Sequence, residues 1–126
     1  MVTDIESDVA IVLMRPQDKQ TKLATSLLRK IGFHVLLASD SAEVLERLGG
    51  ESDPPPVLII DEDASSVAIP GMLETARSLN PAARVLLMSE RDDYEAARTC
   101  NSQANVRGFL KKPFRRASFL GAFCRY

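Results

Sequence analysis

Apolar residues gather in five short runs, Val9–Met14, Phe33–Ala38, Val57–Ile60, Val85–Met88 and Val106–Leu110. Most are rich in Val, Ile and Leu and continuous rather than alternating, the pattern of strands covered on both faces in a parallel sheet. Run length alone does not separate such strands from buried helix, so the stretches between them decide. From Gln17 to Ile31, Leu23, Leu27 and Ile31 recur every fourth residue, and Ala24 and Leu28 widen the stripe into a helical face. Gly32 follows where a helix is expected to end. A second helix is predicted from near Asp40, a capping carboxylate with Glu43 three residues on, to Gly49 and Gly50. Pro54, Pro55 and Pro56 then force extended chain into the third run. A third helix is predicted from Pro70 or Gly71 to Asn80 and Pro81, a fourth from Asp92 to Gln103, and a fifth from Phe114 to Cys124.

Strand and helix therefore alternate without an internal repeat, low-complexity tract or second domain. The implied architecture is α/β, a doubly wound five-stranded parallel sheet with flanking helices, forming one domain with its core over about residues 8–124. A chain of 126 residues suits one such core. With a net charge of −1, no global field draws the chain to nucleic acid or anionic membrane, so electrostatic function has to come from local clusters. The acidic start, Met1 to Asp8, lacks the layout of a signal peptide. No apolar run approaches the ~20 residues that span a bilayer. Cys100 and Cys124 match neither a metal spacing nor a disulfide framework and read as small apolar residues. A cytoplasmic location is the expectation.

Sheets of this kind collect their chemistry just beyond the carboxyl ends of the strands. Arg15 and Pro16 follow the first run, Asp61, Glu62 and Asp63 the third, Ser89 the fourth, and Lys111, Lys112, Pro113 and Phe114 the fifth. The segments Leu58-Ile59-Ile60-Asp61, Leu86-Leu87-Met88-Ser89 and Phe109-Leu110-Lys111-Lys112-Pro113-Phe114 resemble three signatures of response-regulator receiver domains of the CheY-like, flavodoxin-like type. The resemblance covers about Val9 to Phe123. It implies a two-component or phosphorelay signalling module rather than an enzyme. Asp61 would be the phosphoacceptor, Ser89 and Lys112 the hydroxyl and cation that meet the phosphate, and Phe109 an aromatic that moves with the hydroxyl. Such chemistry needs a carboxylate nucleophile, a cation and a hydroxyl that can reorient. The implied partners are a histidine kinase and an output domain or protein, met through the face of the fourth helix, last strand and last helix; a homodimer is compatible with it.

Two departures alter that expectation. Receivers resemble one another in an acid pair after the first strand that holds Mg²⁺, and here those positions fall on Arg15 and Pro16. Mg²⁺ takes hard oxygen ligands. Arg15 repels it and Pro16 has no side-chain oxygen, while Asp18 reads as a helix cap. Ile69-Pro70-Gly71 also comes late after Asp61, which lengthens the loop that shapes the pocket. The expectation is an atypical pseudo-receiver with impaired Mg²⁺-dependent phosphorylation, with no metal or other cofactor, acting through protein–protein contacts. Two placements of Arg15 compete: a forked pair with Asp61 that locks one conformation, or a side chain turned to solvent.

Arg107, Lys111, Arg115 and Arg116, with Lys112, make the C-terminal part basic. This is a partner face, a solvated face, or, in an alternative reading, the site of a sensor for an anionic nucleotide second messenger. Nucleic acid is not favoured, because no aromatic platform interleaves the basic residues. A flavodoxin-like enzyme is not favoured either, since no Gly-rich phosphate loop follows the first run and no nucleophile–base pair is apparent. His34, the single histidine, reads as a surface strand residue.

Overall fold

The computed structural model describes residues 8–48, 55–64, 69–90 and 106–123. Its elements are β1 (Val9–Leu13), α1 (Lys19–Ile31), β2 (His34–Ala38), α2 (Ser41–Leu48), β3 (Val57–Asp61), a 3-10 turn (Glu62–Ala64), α3 (Ile69–Leu79), β4 (Arg84–Ser89), β5 (Val106–Lys111) and α4 (Arg116–Phe123). The five strands form one sheet in the order β2-β1-β3-β4-β5, and every pairing is parallel. The chain thus moves outward from β1 to β2 and returns to place β3 on the other side of β1. This doubly wound arrangement is the one the alternating runs predict. The helix expected at Asp92–Gln103 lies outside the described residues, as do both cysteines.

Because successive strand residues point to opposite faces, each continuous apolar run feeds two cores. Ala10, Val12, Val57, Ile59, Leu86 and Met88 pack with Ala24, Leu27 and Leu28 of α1 and Phe119 of α4. Ile11, Leu13, Leu58, Ile60, Val85 and Leu87 pack with Val44 and Leu48 of α2 and Met72, Leu73 and Ala76 of α3. A register shift between Val85 and Leu86 pairs Val85 with Val106 but Leu86 with Gly108. The extra residue resets the alternation in β5, so Val106 and Phe109 both lie against the α2–α3 core while Leu110 joins the other.

Caps agree with the sequence in type and refine it in detail. Asp18 caps α1, its carboxylate accepting from the Gln20 N–H at 2.9 Å. At the other end Gly32 adopts φ 114°, its N–H donating to the Arg29 carbonyl at 3.1 Å and that of Phe33 to the Leu28 carbonyl at 3.0 Å, the Schellman closure. Before α2 the Asp40 carboxylate accepts from the Glu43 N–H, and the Glu43 carboxylate reaches back to the N–H and hydroxyl of Ser39. The reciprocal bond of this capping box therefore falls one residue earlier than in the usual form. Those bonds, with Arg47, hold the exposed Glu43 carboxyl below its ordinary pKa.

Three expectations are corrected. Ile31 does not belong to the buried stripe of α1; it is 46% exposed, because a strict four-residue spacing drifts about 40° around the helix per step. The buried face runs instead through Thr21, Ala24, Thr25, Leu27 and Leu28. The helix predicted from Phe114 begins at Arg116, since the Phe114 backbone is bonded elsewhere. The helix predicted from Pro70 or Gly71 begins at Ile69.

The two glycines at α1 and α3 separate backbone from packing effects. Gly32→Ala places a side chain at positive φ and is expected to lower unfolding stability by about 1–2 kcal/mol. Gly71 lies inside α3 with open space at its Cβ position, so Gly71→Ala is expected to raise stability by about 0.5–1 kcal/mol. Urea denaturation of the two variants checks the opposite signs.

Candidate functional site

The carboxyl ends of β1, β3, β4 and β5 meet at one edge of the sheet. Asp61 is the last residue of β3, and Ser89 at the end of β4 lies opposite Lys111 in register. The Lys112 N–H donates to the Ser89 carbonyl at 2.8 Å. That bond carries Lys112 one residue past β5 and turns its side chain inward, where it is buried. Its Nζ donates to the Asp61 carboxylate at 2.5 Å and stands 3.4 Å from the Asp63 carboxylate and 3.9 Å from that of Asp18. The following Lys112–Pro113 peptide is cis.

Asp61 is wholly buried. One carboxylate oxygen takes Lys112, and the other accepts from the Asp63 N–H at 2.9 Å. This second bond is an aspartate bonding the backbone two residues on, a turn signal that the sequence carries in Asp61-Glu62-Asp63. Burial pushes the Asp61 carboxyl above its ordinary range, against the hydrogen bonds from Lys112 and Asp63. Burial also acts to lower Lys112, but its bond to Asp61 and the charges of Asp61, Asp63 and Asp18 hold the ammonium above its usual pKa.

Asp63 ties the site together. Besides its N–H, its carbonyl accepts from Arg15 Nη2 at 2.8 Å and its carboxylate accepts from the Glu90 N–H at 3.0 Å. The expected fork between Arg15 and Asp61 is thus not formed, and the solvent-facing alternative is incomplete. The guanidinium is exposed yet anchored to the turn after β3 rather than to the carboxylate. The backbone explains this reach. The Arg15 carbonyl is held by the Asp18 N–H at 3.1 Å and the buried Thr21 hydroxyl at 2.5 Å, which fixes the root of the side chain. Pro16 beside it is exposed.

Ser89 is fully buried, and its hydroxyl donates to the Glu62 carboxylate at 3.3 Å. Phe109 is half-buried against the α2–α3 core. Lys111, Arg115 and Arg116 are exposed, while the Arg107 side chain lies outside the described residues. So does much of the lengthened loop after Asp61, at residues 65–68. Sequence reasoning missed Gln20. Its side-chain amide accepts from the Phe114 N–H at 2.6 Å and donates to the Phe114 carbonyl at 3.3 Å, clamping the loop that carries Lys112 onto α1. Nothing in a single sequence marks a contact across 94 positions.

No protein-family model and no curated protein sequence matches the chain. Solved structures do. A CheY-like response-regulator receiver domain from Methanospirillum hungatei superposes with a TM-score of 0.75 at 17% identity, over 94% of this chain and 90% of that one. A response regulator from Thermotoga maritima gives 0.73 at 21% identity, over 95% and 97%. A response regulator from Burkholderia pseudomallei, solved with a phosphorylated aspartic acid, a calcium ion and citrate, gives 0.68 at 20% identity, over 93% and 66%. The all-parallel five-stranded sheet with flanking helices is accordingly the fold of CheY-like receiver domains.

That fold implies a divalent cation beside the central aspartate, and the residues present do not fit one. The chain leaves β1 through Arg15 and Pro16, neither of which offers a side-chain oxygen, and among the described residues no three His, Cys, Asp or Glu side chains are arranged to hold a metal. The carboxylates of Asp18, Asp61 and Asp63 converge on the Lys112 ammonium instead.

Removing the ammonium strands a buried carboxylate. Lys112→Ala is expected to cost about 3 kcal/mol at neutral pH. With its cation gone Asp61 rises further, so the deficit against wild type is full between the Asp61 pKa and the lysine range and shrinks as pH falls through the former. In the wild type the Lys112 contribution has the opposite window: it is present below the ordinary lysine range and lost as pH rises through the raised folded value. Denaturation across a pH series reads both limbs.

Proposed function

We propose that the chain is a receiver domain of two-component signalling that works through protein–protein contacts, with Mg²⁺-dependent phosphorylation at Asp61 impaired. One observation carries this reading: Asp61, at the carboxyl end of the central strand, is wholly buried with both oxygens engaged, while Arg15 takes up the carbonyl of Asp63. The first half of that arrangement suits a phosphoacceptor, because Lys112 would neutralise a phosphoryl group placed on Asp61 and Ser89 lies on the neighbouring strand end. The second half sets a cation on the Asp63 carbonyl and leaves Arg15 and Pro16, with no carboxylate, just after β1, where Mg²⁺ would need a hard oxygen donor. The fold supports the signalling role, since its neighbours are response-regulator receivers.

Partner contact is assigned to the face of β5 and α4 together with the segment between β4 and β5. Exposed Lys111, Arg115 and Arg116 border this face and suit a histidine kinase or output domain with an acidic surface. No helix among the described residues is long and apolar enough to cross a membrane.

Incubation with acetyl phosphate tests the reading. Wild type is expected to label well below one group per chain, and Mg²⁺ to change the yield by less than about twofold, as for a site without a cation's oxygen donors. Stoichiometric, Mg²⁺-dependent labelling that disappears in Asp61→Asn overturns the impaired-site assignment.

A further inference from the structure

We propose that the guanidinium of Arg15 is a tethered cation that keeps divalent ions out of this site and performs, permanently, the bridging between the end of β1 and the turn after β3. The proposal rests on the receiver reading and deepens it by naming the residue that makes the site metal-independent.

The geometry supports each part. Arg15 Nη2 donates at 2.8 Å to the Asp63 carbonyl, an oxygen of the type that hard cations seek. The same residue gives its backbone N–H to Asp61, so the guanidinium is linked to the buried carboxylate through the main chain of Asp63 rather than through a direct ion pair. The bond joins residues 48 positions apart. Ordering costs are reduced at its root, because the Arg15 carbonyl is already held by the Asp18 N–H and the Thr21 hydroxyl. Charge supplies the remaining reason. Three carboxylates, those of Asp18, Asp61 and Asp63, meet a single buried ammonium, and Arg15 adds a second fixed positive charge beside them. A guanidinium carried on the chain does not dissociate as a bound ion does. The turn after β3 therefore stays in one electrostatic state whatever the cation concentration.

Paramagnetic broadening of amide signals by Mn²⁺, followed on the full chain, tests the assignment. Wild type is expected to show no selective broadening at Asp61 and Asp63. Arg15→Asp replaces the cation with an oxygen donor and is expected to bind Mn²⁺ at least about tenfold more tightly than wild type, on the scale that ligand charge tunes such sites. Arg15→Ala, which only removes the guanidinium, is expected to fall between them and carries the test if Arg15→Asp does not fold. Saturable binding by wild type at the strength of the variants overturns the proposal, as does a folded Arg15→Asp or Arg15→Ala that binds no better than wild type. Phosphodonor labelling reads the receiver assignment separately. Stoichiometric labelling that is independent of Mg²⁺, in a wild type that shows no selective Mn²⁺ site, would overturn the functional reading alone, and Mn²⁺ binding by a wild type that does not label would overturn only the role of Arg15.

Discussion

The ion pair between Lys112 and Asp61 joins the ends of β5 and β3, and much of the site's geometry follows from its burial. Two charges taken from water cost several kcal/mol each and are held there only when geometry and further hydrogen bonds compensate them. The compensation is visible on every side. The Asp63 N–H takes the second oxygen of Asp61, Asp63 and Asp18 surround the ammonium, and the backbone of Lys112 is bonded to Ser89. A single buried pair thereby dictates where the loops after β1, β3, β4 and β5 must run.

Those loops are held from outside the pair by two polar clamps of different reach. Gln20 binds both backbone groups of Phe114 and so fixes the segment following Lys112 against α1. Arg15 binds the Asp63 carbonyl and fixes the turn following Asp61 against the end of β1. Between them α1 enters the site through its capping residue, Asp18, whose carboxylate serves both the Gln20 N–H and the electrostatic surroundings of Lys112. The helix start is thus part of the charge arrangement as well as a structural boundary. Phe114 continues the connection inward by stacking on Phe119 at 5.5 Å, which links the loop to the core beneath α4.

Much of this was legible in advance for a simple reason. Burial on both faces of a parallel strand demands continuous Val, Ile and Leu, so Val9–Met14, Val57–Ile60 and Val85–Met88 announce themselves without any tertiary information. Asp18, Gly32, Asp40 and Glu43 are equally local signals, because a cap bonds residues two to five positions away. The prediction for Ile31 failed where spacing was taken as exact and the helix turned it into solvent. That for Phe114 failed because its backbone groups, which could have begun a helix, were taken by Gln20. Arg15 shows the same limit at the site. Its charge invited a pair with Asp61, but the Asp61 oxygens are bonded to Lys112 and the Asp63 N–H, and the guanidinium donates to the Asp63 carbonyl instead.

The amino-acid sequence by itself determined the alternation of strands and helices, their order along the chain, and the gathering of Asp61, Ser89 and Lys112 at strand ends. Each of these follows from local periodicity together with the handedness of strand crossovers. Only the tertiary structure decided which acceptor each of these side chains takes. Asp61 is held by Lys112 and by its own turn, Ser89 donates to Glu62, and Arg15 is anchored to a backbone carbonyl. The physical reason is competition. Several donors and acceptors of suitable type lie within reach of the sheet edge, and their pairing depends on ångström-scale distances set by the packing of two cores that no stretch of sequence contains on its own.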